Sequence, residues 1–158
     1  MRVLGVVMLA LAVMAAAPVQ AQAQAQADSM QVLRQEMQKD KKLVVQANLP
    51  LTDAEAKAFW PIYEDYQKAL HRINDRLATM LVTYGKQYGE GNISDKEAMA
   101  TLERYYGIEE EEMKLRRSFL PRLAKVLPGK KVARYMQIEN KIRALVKYEL
   151  AGEVPLVK

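Results

Sequence analysis

Apolar side chains recur every three or four positions from about Asp28 to Ala151, and no stretch alternates with a period of two. That spacing puts them on one face of a helix and predicts an all-α chain. Glycine and proline divide it into four helical stretches. In the first, from about Asp28 to Ala47, Met30, Leu33, Met37, Val44 and Ala47 form one stripe. It closes at Asn48-Leu49-Pro50, because the residue before proline avoids helical geometry. The second opens at Thr52-Asp53-Ala54-Glu55, a capping box with Leu51 placed to staple onto the next turn. Its stripe is Tyr66, Leu70, Ile73, Leu77, Met80 and Tyr84, extended upstream by Phe59 and Ile62. Gly85, Gly89 and Gly91-Asn92 are expected to end it in a turn. A second capping box, Ser94-Asp95-Lys96-Glu97, opens the third. There Met99, Leu102, Tyr106, Met113, Leu120, Leu123 and Leu127 are expected inward, with Glu109 and Arg116 on the same seam. The fourth spans about Lys130 to Ala151, with Val132, Tyr135, Ile138, Ile142, Leu145 and Val146 inward and Gly152 as its cap.

The second and third stretches are each roughly 35 residues, which gives rods of about 50 Å at 1.5 Å per residue. Joined by a short glycine turn, they form a long antiparallel hairpin flanked by two shorter helices. Pro61 and Pro121 predict a kink in each rod. A hairpin of that length leaves apolar surface over, and a symmetric dimer is the economical way to cover it. The tail Val154-Pro155-Leu156-Val157 is apolar enough to dock back on the body.

The N-terminus changes the picture. Met1-Arg2 is a positive start, Val3 to Ala17 is uncharged and apolar, and repeated Ala-Gln units follow Pro18. These are the three parts of a secretory signal peptide, expected over residues 1–23 with cleavage between 21 and 27. The apolar run is short of the roughly 20 residues of a membrane span, so no stable membrane insertion is expected after cleavage. Residues 24–28 read as a disordered linker, 29–152 as one helical domain and 153–158 as a C-terminal tail. A periplasmic location follows. The chain has no cysteine, which removes disulfides, thiolate metal sites and a lipid-anchoring cysteine. The net charge of +5 suits anionic partners. Basic and acidic residues are interleaved, however, and no nucleic-acid partner is expected.

Candidate chemistry is sparse. His71 is the sole histidine, too few for a triad or a histidine-built metal site. Glu109-Glu110-Glu111-Glu112 point in four directions on a helix. Glu110–Lys114 and Glu112–Arg116 have i,i+4 spacing in the favourable order, so the run reads as a solvated, salt-bridged face. Glu109 and Arg116, on the seam, are placed to pair with their copies across a dimer or to open the seam to a client. Phe59-Trp60-Pro61-Ile62-Tyr63 with Tyr66 reads first as core packing at a kinked helix. Trp60 and Tyr63, off the main stripe, are candidates for an exposed contact patch. No phosphate loop or GxSxG occurs, and no enzyme or cofactor is expected.

Leu51-Thr52-Asp53-Ala54-Glu55 opening a long helix in a small exported helical chain resembles the Spy/CpxP-like family, whose L-T-x-x-Q motif marks two helix starts. Here Glu55 replaces the glutamine, and Leu127-Pro128-Gly129-Lys130-Lys131 keeps only the leucine of the second copy. Phe59-Trp60-Pro61-Ile62-Tyr63 is similar to an F-W-P-x-Y branch of small exported helical proteins. The resemblance implies a cradle-shaped dimer of kinked hairpins acting as an ATP-independent chaperone, as an inhibitor of an envelope-stress sensor, or in zinc binding. The single histidine and missing cysteines argue against zinc. The implied partners are unfolded clients or an envelope sensor, with a dedicated adaptor for one envelope partner as the other reading. Basic residues placed to serve are Lys68, Arg72, Arg76, Arg104, Lys114, Arg116 and Arg117.

Overall fold

A computed structural model describes residues 40–157. The expected signal segment, the linker and the Met30–Met37 part of the first stripe lie outside the described residues. The chain divides into two units, Met1–Lys42 and Leu43–Lys158. Of the first, residues 40–42 are described, and they are helical. The second unit is all-α. It holds residues 43–48 of a helix, α1, whose described part is 40–48, then α2 (Asp53–Glu90), α3 (Asp95–Ala124) and α4 (Gly129–Glu153), with no strand among the described residues.

Both capping boxes form. Thr52 Oγ1 accepts from the Glu55 amide at 3.3 Å, and Glu55 Oε2 accepts from the Thr52 amide at 2.8 Å. Ser94 and Glu97 repeat the exchange at 3.3 and 2.9 Å. Each box satisfies donors that the first helical turn leaves over. With 38 residues, α2 is about 57 Å long. Gly85 and Gly89 do not end it. Neither needs a special backbone angle, and only Gly91, at φ 67°, takes the left-handed cap. α2 and α3 continue through Pro61 and Pro121. α4 likewise runs past Gly152 and stops at Glu153.

The expected α2 stripe is the one that packs. Phe59, Tyr66, Leu70, Met80 and Tyr84 are buried, with Ile73 and Leu77 half-buried. The α3 stripe is corrected. Leu123 and Leu127 are buried as expected, but Met99, Leu102, Tyr106, Met113 and Leu120 are exposed, and Ile108, Glu112 and Phe119 face inward instead. In α1 the buried residue is Val45 rather than Val44, and on α4 Leu145 is exposed while Val132, Tyr135 and Ile138 are buried. The physical reason on α3 is that its acids find cations on α4. The charged positions of that seam therefore turn inward and its apolar edge turns outward.

The core gathers where α1 ends and α2 and α4 begin. Tyr135 of α4 is its centre, edge-on to Phe59 at 5.0 Å, Tyr63 at 6.2 Å and Tyr66 at 6.3 Å. Tyr66 also meets Phe119 of α3 at 5.3 Å, so all three long helices contribute rings. These rings hold the backbones of α2 and α4 more than 8 Å apart. Val45 and Leu49 close the end of this core, and Arg134 Nε donates to the Asn48 carbonyl at 2.5 Å, capping α1. Arg122 lies 4.6 Å over the Phe119 ring and also pairs with Asp65 at 2.6 Å.

Two outcomes test this core. Phe59→Ala removes a ring that touches α2 and α4 together, and is expected to cost about 3–5 kcal/mol in chemical denaturation. A loss under 1 kcal/mol would place the core elsewhere. The second concerns alkali. Burial, and then the Glu139 carboxylate, push Tyr66 up from 10.0 to about 12 against the opposing pull of Arg116. The unfolded chain ionises this phenol first. The stability it contributes is therefore complete below pH 10 and drains away as pH rises through about 12. Thermal midpoints taken across that window should fall, and Tyr66→Phe should flatten the fall.

Candidate functional site

Above the aromatic core, charged residues form a layer between α3 and α4. Glu109 Oε2 accepts from Arg143 Nη2 at 2.7 Å and from the Lys147 ammonium. Glu112 Oε1 meets Arg143 Nε at 2.7 Å and Arg116 Nε at 3.2 Å. Arg116 Nη1 donates to Asn140 Oδ1 at 3.4 Å. On the α2 side, Gln67 Nε2 donates to the buried Glu139 at 2.9 Å and to Tyr135 Oη at 3.4 Å. Burial alone raises Glu109, but the Lys147 hydrogen bond and the Arg143 charge outweigh it and hold the carboxyl below its usual range. Glu112 does the same for Arg143 in the other direction, keeping it firmly cationic against the cost of burial. Burial and then Glu139 also raise Tyr135 and Tyr63, so both phenols stay protonated. Glu109 and Arg116 thus have partners within their own chain. The expected pairs Glu110–Lys114 and Glu112–Arg116 are both made, at 3.4 and 3.2 Å.

Of the nine residues singled out from sequence, the structure brings three together. Arg72, Arg76 and Lys114 surround a shallow depression between α2 and α3, floored by Ala69, Ile73 and Leu115. Glu111 sits among them and accepts from Arg76 at 2.6 and 3.0 Å. Lys68, Arg104 and Arg117 are exposed elsewhere on the helices. Two residues are not offered at the surface. Tyr63, only 3% exposed, belongs to the core, because its ring packs on Tyr135 and Trp60. Arg116 is largely buried in the charged layer, because Glu112 and Asn140 draw it inward. Trp60 is half-buried against Phe59 and Tyr63, with one flank open.

An exposed apolar stripe runs along α3. Met99, Tyr106, Met113 and Leu120 stand seven residues apart, with Leu102 between the first two. Tyr106 and Met113 are 55% and 51% exposed. Arg117 shares that face, one turn from both Met113 and Leu120. At the hairpin tip, α2, α3 and the end of α4 border a half-open cavity of about 500 Å³ with almost wholly apolar walls. The C-terminal tail runs along it, and Tyr84 Oη donates to the Pro155 carbonyl at 2.7 Å. Sequence reasoning missed Arg143, Lys147, Glu139 and Gln67. Their one trace in the chain was Glu109 on an apolar seam, a charge in need of a partner.

His71 faces outward and pairs with Asp75 at 3.4 Å, both side chains being nearly half exposed. Among the described residues, no three of His, Cys, Asp and Glu are grouped to hold a metal ion, and no helix is long and apolar enough to cross a membrane. No family model matches the chain, and neither a curated protein nor a solved structure does.

Removing the central cation tests whether the charged layer joins α3 to α4. Arg143→Met leaves Glu109 with Lys147 and Glu112 with Arg116. The expected loss in urea unfolding is therefore about 2 kcal/mol, under the ~3–5 kcal/mol of a fully buried pair stripped of one partner. An unchanged unfolding midpoint would show that solvent, not this layer, accounts for the acids.

Proposed function

We propose that this chain binds other polypeptides, as an ATP-independent chaperone or stress modulator acting after export to a periplasm. The observation that carries the reading is the α3 stripe: Tyr106, Met113 and Leu120 stand seven residues apart, exposed on a face that the bundle leaves open. Contiguous exposed apolar surface on a folded chain marks an interaction site. Each such side chain contributes about 1.5–3 kcal/mol when buried by a partner. A few of them hold a client reversibly without ATP. The depression ringed by Arg72, Arg76 and Lys114 supplies long-range attraction for acidic segments, with Ile73 and Leu115 beneath it for short-range contact. No catalytic role is part of this reading.

The seven-residue spacing of Met99, Tyr106, Met113 and Leu120 favours a second reading, in which the partner is itself a helix. A second copy of the chain, or one dedicated envelope partner, fits that geometry. The two readings share the stripe and differ in what covers it.

The exported chain is expected to suppress aggregation of several unrelated unfolding clients at near-stoichiometric ratio, less so at high salt, which screens the basic attraction. Met113→Glu, on an exposed position, should weaken suppression at least fivefold with an unchanged thermal midpoint. Sedimentation of both proteins separates the readings. If the wild type is a dimer that Met113→Glu dissociates, the stripe is a self-association seam. Failure to protect any client would end the chaperone reading.

A further inference from the structure

The cavity at the hairpin tip is not used by that reading. We propose that it binds a single hydrocarbon chain, such as that of a fatty acid. At about 500 Å³ it falls within the range of small-ligand sites. Its walls are Leu77, Met80 and Leu81 from α2, Met99 and Leu102 from α3, and Leu150 from α4, which offer carbon and sulfur rather than hydrogen-bonding groups. That poverty of polar atoms selects the ligand. An extended peptide brings an amide and a carbonyl at nearly every residue, and each one buried without a partner costs free energy. A hydrocarbon chain brings none. Methionine adds walls that adapt to a flexible chain.

The charged groups at the margins are already engaged, and Thr101 and Tyr105, each bearing a hydroxyl, also lie on the lining. The Lys147 ammonium, the cation on the lining, is paired with Glu109, and the Tyr84 hydroxyl is spent on the Pro155 carbonyl. A ligand head group therefore stays at the mouth in water, and the tail of the ligand alone is recognised. The segment Val154–Val157 is extended and borders this mouth. Its Leu156 is 88% exposed, so the tail lies along the rim and leaves the cavity unfilled. The segment acts as a strap, tied to α2 by the Tyr84 bond, over whatever enters.

The test uses the purified protein and cis-parinaric acid, a fatty acid that fluoresces in apolar surroundings, kept below its micellar concentration. Saturable enhancement at one ligand per chain is expected. Palmitic acid and hexadecanol should displace it with affinities within threefold of each other, because the head group is not read. Ala98→Trp and Ala151→Trp fill the cavity from α3 and from α4. Each should weaken binding at least tenfold while far-ultraviolet circular dichroism is unchanged. If one variant fails to fold, the other carries the comparison. Non-saturable enhancement, or equal binding by the filled variants, overturns the proposal. Displacement by a leucine-rich peptide as effective as that by palmitic acid overturns it too, in favour of a peptide site. Met113→Glu should leave this binding intact, so its outcome is separate from that of the polypeptide-binding reading.

Discussion

Tyr135 has to be buried, since its ring lies among Phe59, Tyr63 and Tyr66, and its hydroxyl has to be satisfied there, since an unpaired buried hydroxyl is costly. Both demands bear on how α4 lies across α2. The ring sets the spacing, keeping the two backbones more than 8 Å apart. The hydroxyl sets the register, because Gln67 donates to it and to Glu139 one turn further along α4. From that anchor α4 runs alongside α2 and against α3, so its later turns reach the acids of α3. Lys131 on Glu55 at 2.5 Å ties the same end to the capping box of α2.

The charged layer follows from that register. Glu109 and Glu112 lie on the α3 face that meets α4, and Arg143 spans both. Acids placed inward displace apolar side chains outward. Tyr106, Met113 and Leu120 are thereby left on the open face, while Met99 and Leu102, though partly exposed, line the tip cavity. The exposed stripe and the inward acids are one fact seen from two sides of the helix. The bundle is then layered along its length: rings at one end, ion pairs in the middle, an apolar cavity at the hairpin tip. The ion pairs separate a filled core from an unfilled one.

Such a division lets stability and binding reside in different places. The ring cluster and the ion pairs join all three long helices. The tip, bounded by the Gly91 turn and an extended tail, is not needed to hold them. Tyr106, Met113 and Leu120 on α3 lie outside the ring cluster, whereas Leu115 on the floor of the depression packs against it. Lys68 and Arg104 add positive charge to the flanks without entering any of these features.

Much was legible in the chain alone, for local reasons. The helical class follows from the three-and-four spacing. The helix starts follow from Thr52–Glu55 and Ser94–Glu97, because a capping box is closed by residues three apart and needs nothing from the rest of the fold. The α2 stripe was readable because one apolar face on that helix has no rival. On α3 the seam read from local pattern carries Glu109 and Arg116 among its apolar residues, and spacing alone does not say whether its charged or its apolar edge is inner. Only the tertiary structure decided the matter, because Glu109 and Glu112 become tolerable inside once Arg143 and Lys147, more than thirty residues away, stand opposite them. The same holds for Tyr63, Arg116 and the cavity. Periodicity tells how a helix divides its own faces, but which face is inner is settled by what another helix brings to it.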